Sequence, residues 1–195
     1  MARKEVYATT GTRLMVRVFA GFDFVPDDIQ RADFAKYGYQ KGVPMGGDLE
    51  TAPVGKVPTF LAAAMKDPLS GNLDRIQIIK AWTDAGGKLQ ENVYDVAWSD
   101  GRKPGADGKL PPVGSTVDVD NATWTNTIGS PELIAVWKDP DFDPKLRAVY
   151  YLRVIEIPTP RWTAYDQKRF GIKMSDNVPM SVQERAYTSP IWYTP

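Results

Sequence analysis

Three aspartates at alternate positions in KDPDFDPKL (Asp139, Asp141 and Asp143) have the spacing of the first, third and fifth ligands of a calcium loop. Such a loop needs Gly at position six and a bidentate Glu at position twelve, where this chain has Pro144 and Tyr150. The aspartates therefore read as turn residues, with Asp143 capping a turn that opens at Pro144. Asp118 and Asp120, two apart in VDVD, would project from one strand face as a glycosidase carboxylate does, but no partner acid is legible, so they read as solvated positions. Asp100 and Asp107 lie in a loop whose Asp-Gly steps signal turns before they signal metal. KGVPMGGDL and VGKVPT carry glycines but lack the full phosphate-loop spacing.

What is absent narrows the chemistry further. The chain contains no histidine and no cysteine. It therefore has no Ser-His pair, no HExxH zinc site, no thiolate ligand and no disulfide. Catalysis within it would rest on carboxylate pairs or on Lys, Tyr, Ser and Thr. No metal ligand is assigned. Lys plus Arg (24) balance Asp plus Glu (24), without the basic patch that a phosphate backbone requires, so nucleic acid is not an expected partner. Nor is a membrane, because no stretch approaches the roughly 18 to 20 apolar residues of a span.

The elements that must carry these residues are mostly strands. From Arg13, alternation puts Leu14, Val16, Val18 and Ala20 on one face. Residues 26–41 suit a short capped helix, and the Gly/Pro-rich stretch 42–58 suits a loop. TFLAAAMKD favours helix by propensity, but its shortness and flanking prolines make it a buried strand. LDRIQIIKAW and NVYDVAW form the clearest hairpin, with Ile76, Ile78 and Trp82 on one face of the first arm, Tyr94, Val96 and Trp98 on one face of the second, and positive φ angles at Gly86 and Gly87. VDVDNATWTN, ELIAVWKD, AVYYLRVIEI and RAYTSPIWYT read as further strands, the third a central one. Residues 161–180 read as irregular.

The expected fold is mostly β: an antiparallel β-sandwich, Ig-like or similar, with one or two short helices and long loops. Trp82 and Trp98 are expected in its core. Trp124, Trp162 and Trp192 remain as ligand-stacking candidates.

Seven segments in order, RKEVYATTGTRL, KGVPMGGDL, NLDRIQIIK, VYDVAWS, KLPPVGSTVD, YYLRVIEIPTPRWTAYD and ERAYTSPIWYTP, closely resemble the C-terminal part of the bacterial domain-of-unknown-function family 3604. The resemblance implies a longer, often exported protein, periplasmic or secreted, with an upstream region related to the polymerase and histidinol phosphatase (PHP) metal-dependent phosphoesterases. Any divalent metal would belong to that region, and this chain would have no cofactor. It further implies that residues 1–12 are the remnant of an upstream barrel-type domain and that 13–195 form a single β-sandwich domain.

On this view the chain braces or covers the upstream catalytic domain, its partner. Self-association of the fragment is also expected. If YATTGTR ends a barrel strand, Thr9, Thr10, Thr12 and Arg13 would line a pocket for an anionic substrate; otherwise Gly11 makes a turn and Arg13 is solvated. An independent ligand- or glycan-binding module and a carboxylate-dependent glycosidase are the alternatives.

Overall fold

The computed structural model describes residues 2–195. The elements run β1 (Tyr7–Thr9), β2 (Met15–Gly21), a 3-10 turn (Pro26–Gln30), α1 (Phe34–Lys41), β3 (Gly42–Pro44), β4 (Asp48–Leu49), β5 (Thr59–Met65), β6 (Leu73–Thr83) and β7 (Leu89–Trp98). They continue with β8 (Glu132–Lys138), β9 (Ala148–Glu156), β10 (Thr159–Pro160), α2 (Trp162–Phe170), β11 (Ser181–Val182), β12 (Arg185–Thr188) and β13 (Ile191–Tyr193). Among the described residues the protein is mostly β, in several sheets, with two α-helices and no barrel.

The larger sheet is centred on β9, as the run AVYYLRVIEI predicts. One side of β9 pairs with β6, which pairs with β7 at the edge. On its other side β12 and β13 follow one another and are flanked by β1 and β4. A second sheet has the order β3-β2-β5-β8, and β10 with β11 forms a small third. All pairings are antiparallel except β13 with β4. Residues 6–10 thus attach to the larger sheet, with β1 along β12 from Tyr7–Thr188 to Thr9–Ala186.

A single core fills the space between the two larger sheets. Leu14, Val16, Val18 and Ala20 face it from β2 and the residue before it, Phe60, Ala62 and Ala64 from β5, Ile76 and Ile78 from β6, and Tyr150, Leu152 and Val154 from β9. Phe60 packs on both Trp137 and Tyr150, with ring centroids 5.6 and 4.8 Å apart. The other face of β2 and β5 is covered by the turn and α1, which enclose Phe19, Phe24 and Leu61. Helix α1 lies so close that a Cβ on Gly38 would stand 2.3 Å from the Phe19 ring. Only glycine permits that approach, at a cost in helix propensity of about 1 kcal/mol.

Several elements differ from expectation for identifiable reasons. The helix expected over 26–41 splits: Asp28 accepts the Val25 N–H at 2.9 Å, while the Arg31 guanidinium grips Asp33 at 2.9 and 3.0 Å and lies 4.0 Å from the Tyr37 ring centre, leaving Arg31 extended. Stretch 42–58 is not all loop. Gly42 pairs with Gly21 because it has no Cβ, which would meet the Ala20 carbonyl at 2.3 Å, so β3 can form. VDVDNATWTN is not a strand but a turn with one bridge, Asp118 to Thr123, because the Asp118 carboxylate satisfies Asn121 N at 3.0 Å and Nδ2 at 2.8 Å. Residues 161–180 are not wholly irregular. They contain α2, which ends on left-handed Gly171 after Lys168 and Arg169, a stop signal present in the sequence. In the hairpin turn only Gly87 of the glycine pair has positive φ, and Asp84 closes the turn by accepting the Gly86 and Lys88 N–H groups.

Candidate functional site

The hairpin gives rise to the largest groove described, about 550 Å³. Between Ile76 and Gln77 the pairing slips: Ile76 faces Ala97 and Gln77 faces Asp95, so Val96 is an extra residue in β7. A bulge of this kind reverses the side-chain phase beyond it. Tyr94, opposite core-facing Ile78, points inward, whereas Trp98, opposite Arg75, lies on the other face. Strict alternation places Trp98 in the core; the bulge leaves it half-buried in the groove wall instead. Trp82 is partly buried and packs against the core as expected.

The groove follows the β7 edge, where the two larger sheets come together. Its walls are Trp98, Tyr94 and Val93 from β7 and Trp137 from β8, with Pro104 and residues 108–110 of the following loop. Tyr94 and Trp137 rings stand 4.9 Å apart. Trp98 is fixed by its indole N–H, which donates to the Arg102 carbonyl at 2.6 Å. The Tyr94 hydroxyl donates to Asp141 at 2.7 Å; partial burial, with Asp141 accepting from it, pushes this phenol up to about 12.

The polar floor is held from below. Asp95 accepts from Arg75 Nη1 at 3.1 Å and Gln77 Nε2 at 2.8 Å, and Gln77 Oε1 accepts from Arg153 at 2.7 Å. Beneath them Asp74, almost fully buried, accepts from Arg102 at 2.6 Å, Arg75 at 3.2 Å and Gln183 at 3.2 Å. Arg102 also donates to the Pro111 carbonyl at 2.9 Å, tying down the loop over the groove. Donors and acceptors are thus fixed beside flat aromatic surfaces. Asp95 is the one carboxylate among the described groove residues, so the facing pair a glycosidase needs is not assembled there.

The TTGTR segment lies elsewhere, among acids. Thr9 Oγ1 donates to the Thr12 carbonyl at 2.6 Å, Thr10 Oγ1 donates to the Glu184 carboxylate, and the Arg13 N–H donates to Asp67 at 2.8 Å. Nearby Glu156 is fully buried and accepts from Ser70 Oγ at 2.6 Å. Its Oε1 and Thr12 Oγ1 are both buried, and neither meets a partner in hydrogen-bond geometry. An anionic ligand at these threonines would face Glu156, Glu184 and Asp67. Among the described residues no group of three or more Asp or Glu is placed to hold a metal. Trp124 and Trp162 line neither this region nor the groove; Trp192 lines a separate cleft.

Burial drives the Glu156 carboxyl above its ordinary value of 4.5, with the charges of Glu184 and Asp67 adding to the rise and the hydrogen bond from the Ser70 hydroxyl opposing it. A raised carboxyl contributes stability fully below its unfolded pKa and loses that contribution as pH rises through the folded value. The contribution of Glu156 to stability should therefore fall as pH rises above its ordinary value of 4.5. Glu156→Gln, whose amide can donate to Thr12, should raise the melting temperature at neutral pH and flatten its pH dependence. Melting curves at a series of pH values would test this; an unchanged slope in the variant would exclude Glu156 as its source.

A family model described as a protein of unknown function (DUF3604) matches residues 1–195. The chain belongs to this family. No curated protein and no solved structure matches this DUF3604 chain. The groove residues are thus features of a DUF3604 domain whose chemistry has to be read from its own geometry. Sequence reasoning missed the groove because Arg75, Gln77 and Asp95 look like the solvated face of a hairpin. The usable signal was polar residues at three positions beside two tryptophans.

Proposed function

We propose that this DUF3604 chain is a non-catalytic β domain that binds a glycan-type ligand in the groove along β7. The observation that carries this reading is the combination in one groove of Trp98, Tyr94 and Trp137 with Arg75, Gln77 and Asp95, whose polar atoms are already oriented by one another. A sugar ring presents an apolar face to an aromatic surface and hydroxyls at its rim to amides, carboxylates and guanidinium groups. Preorganisation lowers the ordering cost of binding. The finer architectural reading is an antiparallel, Ig-like sandwich.

In the whole protein the domain would work beside a PHP-like hydrolytic region of the same polypeptide, exported to the periplasm or beyond, and any divalent metal would belong to that region. A second observation favours a bracing role alongside binding: Trp162 and Phe170 of α2 are 60% and 62% exposed, an apolar face suited to a neighbouring domain or a second copy of the chain.

The test is binding of the wild-type chain to an oligosaccharide array, followed by calorimetry on the hits. Trp98→Ala should weaken binding about tenfold or more, the loss expected for one aromatic platform, while leaving the chain folded. Array binding that Trp98→Ala and Asp95→Asn leave untouched would place the ligand elsewhere. Absence of any glycan binding would refute the reading.

A further inference from the structure

A second cleft, about 330 Å³, opens at the far end of the hairpin. Its position follows from the register of three strands. Ala81 pairs with Val149 and Val149 with Trp192; on the next rung outward Thr83 is beside Leu89, and Arg147 and Thr194 continue the line of β9 and β13. These side chains share the sheet face opposite the core, which Trp82, Ala148 and Tyr193 face. Small Ala81 and Val149 leave a hollow between larger neighbours. Trp192 stands beside it with 49% of its surface exposed and Leu89 with 81%. Such exposure of two large apolar residues around one hollow is unusual on a strand face that only meets water.

The charge at this cleft is equally specific. Arg147 lines it, is exposed, and takes part in none of the ion pairs among the described residues. No Asp or Glu lines the cleft with it; the nearest carboxylates on this face by register are Glu91, opposite Ala81, and Asp48, opposite Trp192, both exposed and outside the lining. The apolar wall therefore ends at an uncommitted guanidinium, whose fork matches a carboxylate.

We propose that this cleft binds a small amphiphilic anion, an aryl or alkyl carboxylate, with its apolar body against Trp192, Val149 and Leu89 and its carboxylate on Arg147. The site is separate from the glycan groove: Gln77 and Thr83 are six residues apart on β6, about 20 Å along an extended strand. A cleft of this volume accommodates a bicyclic acid, and the two Thr side chains at its rim, Thr83 and Thr194, offer hydroxyls to the second carboxylate oxygen. The carboxylate contact is solvent-exposed, so it selects between ligands more than it adds affinity.

Titration of the full chain with 2-naphthoate and with the neutral 2-naphthamide, followed by tryptophan fluorescence and calorimetry, tests the assignment. Saturable one-to-one binding is expected, with the acid preferred about fivefold and the preference shrinking as salt is added. Arg147→Gln should bring the two ligands to equal affinity, Trp192→Ala should weaken both about tenfold, and Trp98→Ala should change neither. No saturable binding would overturn the proposal, as would a preference that survives Arg147→Gln or binding lost through Trp98 and not Trp192.

Discussion

Replacing Lys80 with methionine should destabilise the fold by about 3 to 5 kcal/mol, although methionine is the more usual residue for the place Lys80 occupies. Lys80 points from β6 into the core between Ile78 and Trp82, and its side chain is 3% exposed. Its ammonium meets Asp139, whose side chain is fully buried, at 2.7 Å, donates to the Asp141 carbonyl at 2.7 Å, and lies 5.1 Å from the Trp82 ring centre. Tyr150 donates to the same Asp139 carboxylate at 2.7 Å. Burial, reinforced by the Asp139 charge, holds the Tyr150 phenol far above its normal range, so it remains a donor.

Removing the cation leaves a buried carboxylate with one phenol and one backbone N–H, which cannot replace its counter-charge. The double change Lys80→Met with Asp139→Asn removes both charges and should recover much of the loss, because a buried pair gains little over an uncharged replacement. Urea unfolding of the two single variants and the double variant would measure the coupling. A loss below about 1 kcal/mol for Lys80→Met would mean that the pair is hydrated and does not anchor the loop 139–146 to the sheet.

Lys80 also marks where the sequence stopped being legible. Alternation identified β2 and its buried face, and the balance of shortness and prolines against helix propensity identified β5 correctly. Both depend on local pattern. The hairpin β6-β7 and the central place of β9 were legible for the same reason. Lys80 was not, because a lysine among Ile76, Ile78 and Trp82 reads as an interruption until Asp139 is known to lie beside it, and that contact spans 59 positions of chain. The bulge at Val96 leaves no turn residue to announce it, yet it moves Trp98 from the core to the groove. Strand β3 depends on close backbone approach at Gly42, in a stretch that sequence reads first as loop. The aspartates 139 and 141 read as turn residues, but their work of receiving Lys80, Tyr150 and Tyr94 is tertiary.

Asp74→Ala should be comparably damaging, with a loss of about 3 to 5 kcal/mol, and should damage the groove as well. The Asp74 side chain is 4% exposed and lies between two guanidinium groups that are themselves 13% and 9% exposed, those of Arg75 and Arg102. Alanine would leave two cations desolvated without their shared acceptor and take a partner from Gln183. Arg75 would retain Asp95, but Arg102 has no other carboxylate among the described residues and would seek water, loosening its contact with Pro111 and the carbonyl that holds the Trp98 indole. Asp74→Asn should cost less than Asp74→Ala, because the amide oxygen still accepts from one arginine, although the charge and the second acceptor oxygen are lost. Hydrogen exchange across residues 98–111 should quicken in Asp74→Ala, and Trp98 fluorescence should shift toward that of a hydrated indole. If the variant unfolds within about 1 kcal/mol of the wild type and exchange in this loop is unchanged, the buried network is not what shapes the groove floor.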